Sequence, residues 1–156
     1  MPPGGLVLRS LLLSLVFACS GAASEADRVK ATISELAVAA AAPDLGAVLD
    51  PIADDYKDGE GVTKDQLRGF LFRQFQTRGP VVSVLSPITV QHEEGSALAT
   101  ATFEAVLATG ITLGDPMPDN ADAYRFEVEL QKRDGDWKIV SHTRSSASGG
   151  QVRVAP

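Results

Sequence analysis

Tyr124-Arg125-Phe126-Glu127-Val128-Glu129-Leu130-Gln131 alternates apolar and polar side chains without a break. In an extended chain successive side chains point to opposite faces, so Tyr124, Phe126, Val128 and Leu130 share a buried face and the other four a wet one. Burial on one side only is the mark of an antiparallel sheet whose second face meets water. Asp134-Gly135 then reads as a hairpin turn and Trp137 to Arg144 as the returning strand. Upstream, Val81 to Gln91 and Ala97 to Thr109 read as two more strands, the latter breaking at Gly110. Leu113 to Asp122, rich in Pro and Asp, is a surface loop.

Before Val81 the apolar period is helical. Val29, Ile33, Leu36 and Ala40 form one stripe of a helix that Ser24 caps and Pro43 ends. A second helix is expected from Asp44, with Leu45, Val48, Leu49, Ile52 and Tyr56 on one face and a kink or a break near Asp50, because Pro51 removes a donor. Thr63-Lys64-Asp65-Gln66 reads as a capping box opening a third helix, with Leu67, Phe70, Leu71 and Phe75 turned to the core and Gly79-Pro80 closing it. Three helices followed by an antiparallel sheet give an α+β fold, the helices packed in one strongly curved sheet.

The 156 residues amount to about one domain. With 14 Lys and Arg against 20 Asp and Glu the formal charge is −6, which repels nucleic-acid backbones. No nucleic-acid partner is expected. The N-terminus carries Arg9, an apolar run from Leu11 to Phe17 and then small residues, the order of an export signal and too short a run to span a membrane. Val16-Phe17-Ala18-Cys19 resembles the lipobox of bacterial lipoproteins, and Cys19 is the only cysteine in the chain. That resemblance implies lipid attachment at Cys19 and cleavage before it, with several acyl chains at about 0.8 kcal/mol per buried methylene holding the product on a membrane. Ser20 after the cysteine implies the outer membrane, on the periplasmic side. Ordinary cleavage after Ser20, with Cys19 discarded, is the competing reading. The expected organisation is a signal at 1–18, a lipid-anchored linker at 19–26, a domain at 27–145 and a flexible tail at 146–156.

Three stretches resemble the nuclear transport factor 2-like superfamily: Ile52-Ala53-Asp54-Asp55-Tyr56-Lys57-Asp58, Val62-Thr63-Lys64-Asp65-Gln66-Leu67 and Gly135-Asp136-Trp137-Lys138-Ile139-Val140-Ser141-His142. The resemblance implies a cone-shaped fold with a central pocket between sheet and helices, and a homodimer through the outer sheet face. The superfamily holds isomerases, dehydratases, polyketide cyclases and members without catalysis, so it speaks to fold and not to function.

An acid–base enzyme needs titratable groups aimed into that pocket, and Asp55, Tyr56 and His142 are the candidates, with Asp54, Glu104 and Arg144 behind them. Helical spacing puts Tyr56 on the apolar face and Asp55 on its flank. A two-residue turn at Asp134-Gly135 pairs Leu130 with Ile139, Val128 with Ser141 and Glu127 with His142, which leaves His142 on the outer face unless a bulge intervenes. The expected pocket is then Tyr56, Phe70, Phe103, Phe126 and Val128, with Ser141 and Thr143 as polar points. His92 and His142, the two histidines, have no cysteine partner and converge on no metal site. No glycine loop cradles phosphate and no serine sits in a nucleophile elbow, so neither metal nor cofactor is expected. The reading that follows is an envelope lipoprotein whose noncatalytic pocket binds a small apolar ligand or a protein partner. An isomerase, dehydratase or cyclase using Asp55, Tyr56 or His142 is the second reading, and a pocketless assembly subunit the third.

The Cys19 thiol is the one acylation site at the cleavage boundary. Cys19→Ala is therefore expected to shift the protein from the membrane fraction to a soluble or unprocessed form on cell fractionation. Equal membrane association of the variant would remove the lipid anchor.

Overall fold

Ser24 caps the first helix, α1, Glu25–Ala41: its hydroxyl accepts from the Asp27 N–H at 3.1 Å. The computed structural model describes residues 22–118 and 121–147, so the expected signal, Cys19 and the tail beyond 147 lie outside the described residues. Helix α2, Leu45–Leu49, stops before Pro51, and α3 runs Lys64–Arg78. Thr63 and Gln66 exchange the reciprocal bonds of the capping box, Thr63 N–H to Gln66 Oε1 at 2.9 Å and Gln66 N–H to Thr63 Oγ1 at 3.4 Å. Five strands follow: β1 Val81–Leu85, β2 Thr89–His92, β3 Leu98–Thr109, β4 Asp122–Arg133 and β5 Asp136–Ser146. The described elements thus begin inside the stretch expected as linker and end one residue into the expected tail.

The sheet is antiparallel in the order β1-β3-β4-β5, with β2 beside β3 as well. β1 pairs with Ala105 to Thr109 and β2 with Ala99 to Thr102 of the same long strand. The single strand expected over Val81 to Gln91 is thus two, divided at Ser86-Pro87-Ile88, because proline has no N–H for the ladder. Ser86 bridges the gap, its N–H donating to the Glu104 carbonyl at 2.8 Å and its Oγ accepting from the Glu104 N–H at 2.9 Å. β3 and β4 pair from Leu98↔Gln131 to Leu107↔Asp122, which sets Phe103 against Phe126 with ring centroids 5.4 Å apart.

The alternation from Tyr124 to Gln131 decides which face is buried. Val128 and Leu130 of β4 meet Ala99, Ala101, Phe103 and Ala105 of β3, Trp137 and Ile139 of β5, and Val29 and Ile33 of α1 in one core. Alanine at three of the four β3 positions lets α1 lie close to the sheet. On the outer face Arg125 and Glu104 pair across strands at 2.7 Å. Glu25 fastens the start of α1 to the β4–β5 hairpin, accepting from Lys132 Nζ at 2.8 Å and from the Trp137 indole N–H at 2.7 Å. Those two donors hold its carboxyl down to about 2.

Two expectations about the helices need correction. The second helix does not reach Ile52 and Tyr56; past Pro51 the chain leaves the helical path altogether. Helix α3 is rotated from the expected setting, so that Gln74 is buried and Phe70 is 56% exposed. Leu67, Leu71 and Gln74 lie along one line of the helix at spacings of four and three, and packing follows that line instead of the aromatic positions. The Gln74 Nε2 amide has no hydrogen-bond partner among the described residues. An idle buried amide costs about 1–3 kcal/mol, and methionine has a similar shape and helix propensity. Gln74→Met is therefore expected to stabilise the fold by about 1 kcal/mol, read as a higher urea midpoint at unchanged slope. A lower midpoint would mean that the amide is satisfied.

Candidate functional site

The site is built where an irregular segment meets the last strand. After α2 the chain runs along the outer edge of β5 and is stitched to it by backbone bonds. The Ile139 N–H donates to the Pro51 carbonyl at 2.7 Å, the Ala53 N–H to the Ile139 carbonyl at 2.9 Å, the Lys57 N–H to the Val140 carbonyl at 3.1 Å and the Gly59 N–H to the His142 carbonyl at 3.0 Å. Carbonyls of adjacent residues in a regular strand point to opposite edges. Ile139 and Val140 both serve the same segment, which requires a local irregularity.

That irregularity is a β-bulge. The hairpin has the two-residue turn, with Asp134 and Gly135 at φ 51° and 90° and Arg133 opposite Asp136, as a tight hairpin turn demands. Leu130 faces Ile139, but Glu129 then faces Ser141, leaving Val140 as the extra residue. A shift of one residue turns every later side chain to the other face. Val128 is opposite His142 and Phe126 opposite Arg144, so His142 points inward, against the expected outer position beside Glu127. Ser141 and Thr143, expected as polar points of the pocket, lie instead opposite Glu129 and Glu127 on the outer side. Thr143 packs against Gly59 so closely that a Cβ added there would stand 2.9 Å from its methyl group.

The edge segment delivers Tyr56 to this histidine. Tyr56 is 3% exposed, and its hydroxyl lies 2.6 Å from His142 Nδ1. The two rings are near parallel, with centroids 6.1 Å apart. Burial pushes the phenol above its ordinary value, with Asp58 adding to the rise, so it remains protonated. Burial also pushes the imidazole down; Asp58 opposes that shift and Arg144 reinforces it. Both partners are neutral at pH 7. The hydroxyl has no other partner among the described residues, so the assignment that leaves no buried donor idle has Tyr56 donating to Nδ1 and the proton of His142 on Nε2.

Above the pair is a cavity of about 270 Å³, walled by Leu36, Leu67, Leu71, Phe103, Phe126 and Val128 among others, with Tyr56, Ser83, His142 and Arg144 as its polar lining. Arg144 stands at the mouth, its guanidinium 5.3 Å from the centre of the Tyr124 ring. The carboxylates take no part. Asp55 is held outside by a bidentate bond from Arg133, at 2.7 and 2.9 Å, which keeps its carboxyl below the usual range. Asp54 is paired with Lys64 at 2.8 Å. Of the expected pocket residues, Tyr56, Phe103, Phe126 and Val128 line the cavity, while exposed Phe70 borders an adjoining depression of about 820 Å³ with Arg73 and Thr143. The Tyr56–His142 pairing and the use of Arg144 as a wall were not read from the sequence. The adjacent apolar pair Ile139-Val140, which breaks the alternation of β5, is the one signal that pointed to the bulge.

No protein-family model and no curated protein matches the chain. Solved structures do. A nuclear transport factor 2-like protein from Cytophaga hutchinsonii, 14% identical, superposes with a TM-score of 0.61 over 80% of this chain and 99% of its own. A nuclear transport factor 2-like protein of unknown function from Pseudomonas putida, 20% identical, gives 0.62 over 80% and 89%. A proposed scytalone dehydratase from Novosphingobium aromaticivorans, 13% identical, gives 0.66 over 79% and 84%. The chain therefore has the nuclear transport factor 2-like, cystatin-like fold that its sequence resembles.

The neutral, half-buried imidazole carries a pH dependence whose sign follows from the downward direction of its shift. The unfolded chain takes up a proton near pH 6.5 and the folded one only at lower pH, so stability present above about 6.5 is lost as the pH falls through that window. His142→Phe is expected to flatten the difference in urea midpoint between pH 7.5 and 5.5. A variant with an undiminished difference would place the titrating group elsewhere. Glu25 acts in a separate, more acidic window, its stabilisation being lost between about 4.5 and 2.

Proposed function

We propose that the protein is an envelope lipoprotein, anchored through Cys19 on the periplasmic side of the outer membrane, whose cone binds a small, largely apolar ligand without transferring a proton. The observation that carries the binding part is the cavity of about 270 Å³, apolar except at Tyr56, Ser83, His142 and Arg144. Such a space, near the small end of the range of about 300–1,000 Å³ for ligand sites, has the volume of about nine waters. It takes a molecule of nine or ten non-hydrogen atoms. The Nε2–H of His142 offers such a ligand one hydrogen-bond donor. In that tautomer the imidazole has no free lone pair on the cavity side, so it orients an acceptor and does not abstract a proton. Asp54 and Asp55 are engaged by cations outside the cavity and supply no second group.

One observation favours a second reading, proton transfer in an isomerase or dehydratase. The 2.6 Å contact of Tyr56 with His142 exchanges tautomer if the hydroxyl turns, which would free Nε2 as a base. The proposed scytalone dehydratase among the structural neighbours shares the fold at 13% identity.

Acetophenone, an apolar ring with one acceptor oxygen, separates the two. Binding without chemistry predicts that it raises the unfolding temperature of the protein, that ethylbenzene does so less, and that His142→Phe removes the difference. At a hundredfold excess over its dissociation constant the stabilisation is about 2.7 kcal/mol. In deuterated buffer its methyl group should exchange no faster with protein than without. Accelerated exchange that disappears in a folded His142→Ala variant would establish the second reading, and no stabilisation by either ring compound would remove the pocket as a binding site.

A further inference from the structure

Among the residues that line the cavity, one side chain is charged: Arg144. Arg144 lines both the cavity and the adjoining depression, and Arg73 of α3 lines the depression from the opposite side, together with His142. Neither guanidinium has an ion-pair partner among the described residues, although Lys30, Lys64, Arg68, Arg125, Lys132, Arg133 and Lys138 all have one. Two carboxylates border the same depression, Asp58 and Glu60. The Asp58 oxygen is turned into its own loop, accepting from the Glu60 N–H at 2.9 Å and the Val62 N–H at 2.7 Å. Lys57 and Arg78 also form no ion pair among the described residues, and Glu60 pairs with neither arginine of the depression; Arg144 differs from them in lining an otherwise apolar cavity beside half-buried, neutral His142.

From this arrangement we infer that the ligand is an amphipathic monocarboxylate, its apolar body in the cavity and its carboxylate at the mouth against Arg144 and the Nε2–H of His142. The inference rests on the binding reading above and adds the charge of the ligand to it. The planar guanidinium of Arg144 presents paired donors to a carboxylate, and its seat over the Tyr124 ring holds the side chain at the mouth without a competing acid. His142 lies two residues further in on the same face of β5, so donors are graded along the wall from charged at the mouth to neutral inside. A neutral molecule of the same size would fill the cavity and leave the Arg144 guanidinium without a counter-charge inside it.

The test compares 3-phenylpropionate with 3-phenylpropan-1-ol, an equally apolar body with a neutral head, by calorimetric titration of the full chain at pH 7.5. The acid is expected to bind about tenfold more tightly than the alcohol. Arg144→Gln should erase that preference, Arg144→Lys should restore part of it, and added salt should weaken the acid alone. Equal affinity for acid and alcohol in the wild type overturns the inference but leaves the binding pocket standing. So does an equal loss of both ligands in Arg144→Gln. Absence of binding by either compound overturns the pocket reading and this inference together.

Discussion

Everything particular about this molecule turns on one extra residue in its last strand. Val140 is accommodated because the carbonyls of Ile139 and Val140 both find donors on the segment from Ala53 to Lys57, which lies where a sixth strand would lie in a larger sheet. Buried backbone groups must be paired, so the irregular segment and the bulge sustain each other: neither would be satisfied with the other made regular. From that exchange follow the inward turn of His142, the position of Tyr56 opposite it and the arrival of Arg144 at the cavity mouth. Gly59 completes the stitch, since only a residue without a Cβ can approach Thr143 so closely.

The chemistry of the site is accordingly one of hydrogen bonding more than of charge. Its two central groups are neutral for the same reason, burial, and each meets the need of the other: a hydroxyl with a proton to place and an imidazole with a lone pair to cover. The acids that a sequence reader would choose as catalysts, Asp54 and Asp55, are spent on cations of α3 and of the hairpin. A fold does not fix an activity, which rests on the side chains placed in the site.

Much of the fold was legible in the sequence because its signals are local and periodic. The alternation over Tyr124 to Gln131 identified the buried face of β4, the Thr63 capping box marked the start of α3, and Asp134-Gly135 specified the turn. What was misread depended on partners distant in sequence. A helix resumed beyond an interruption at Pro51 would still pair most of its own backbone, and nothing nearby reveals that the β5 edge offers better partners. The rotation of α3, which buries Gln74 and exposes Phe70, answers to its packing against α2 and not to its own composition. The face of His142 hung on a single unpaired residue, and parity cannot be read from a strand whose alternation lapses at Ile139-Val140.

The segment that covers β5 does something else as well. Sheets end in a row of idle amides and carbonyls that invite another strand, and many proteins guard against such additions. Here the β5 margin is occupied by coil belonging to the same chain, stitched at Pro51, Ala53, Lys57 and Gly59. The opposite margin is cut into two short pieces, β1 and β2, by Ser86-Pro87-Ile88, where proline offers no donor. Neither side presents a long continuous template. Growth by strand addition, the route to filaments and to runaway assembly, is thus hindered at both borders, and contacts with any other macromolecule are left to the broad faces, the helices and the loops.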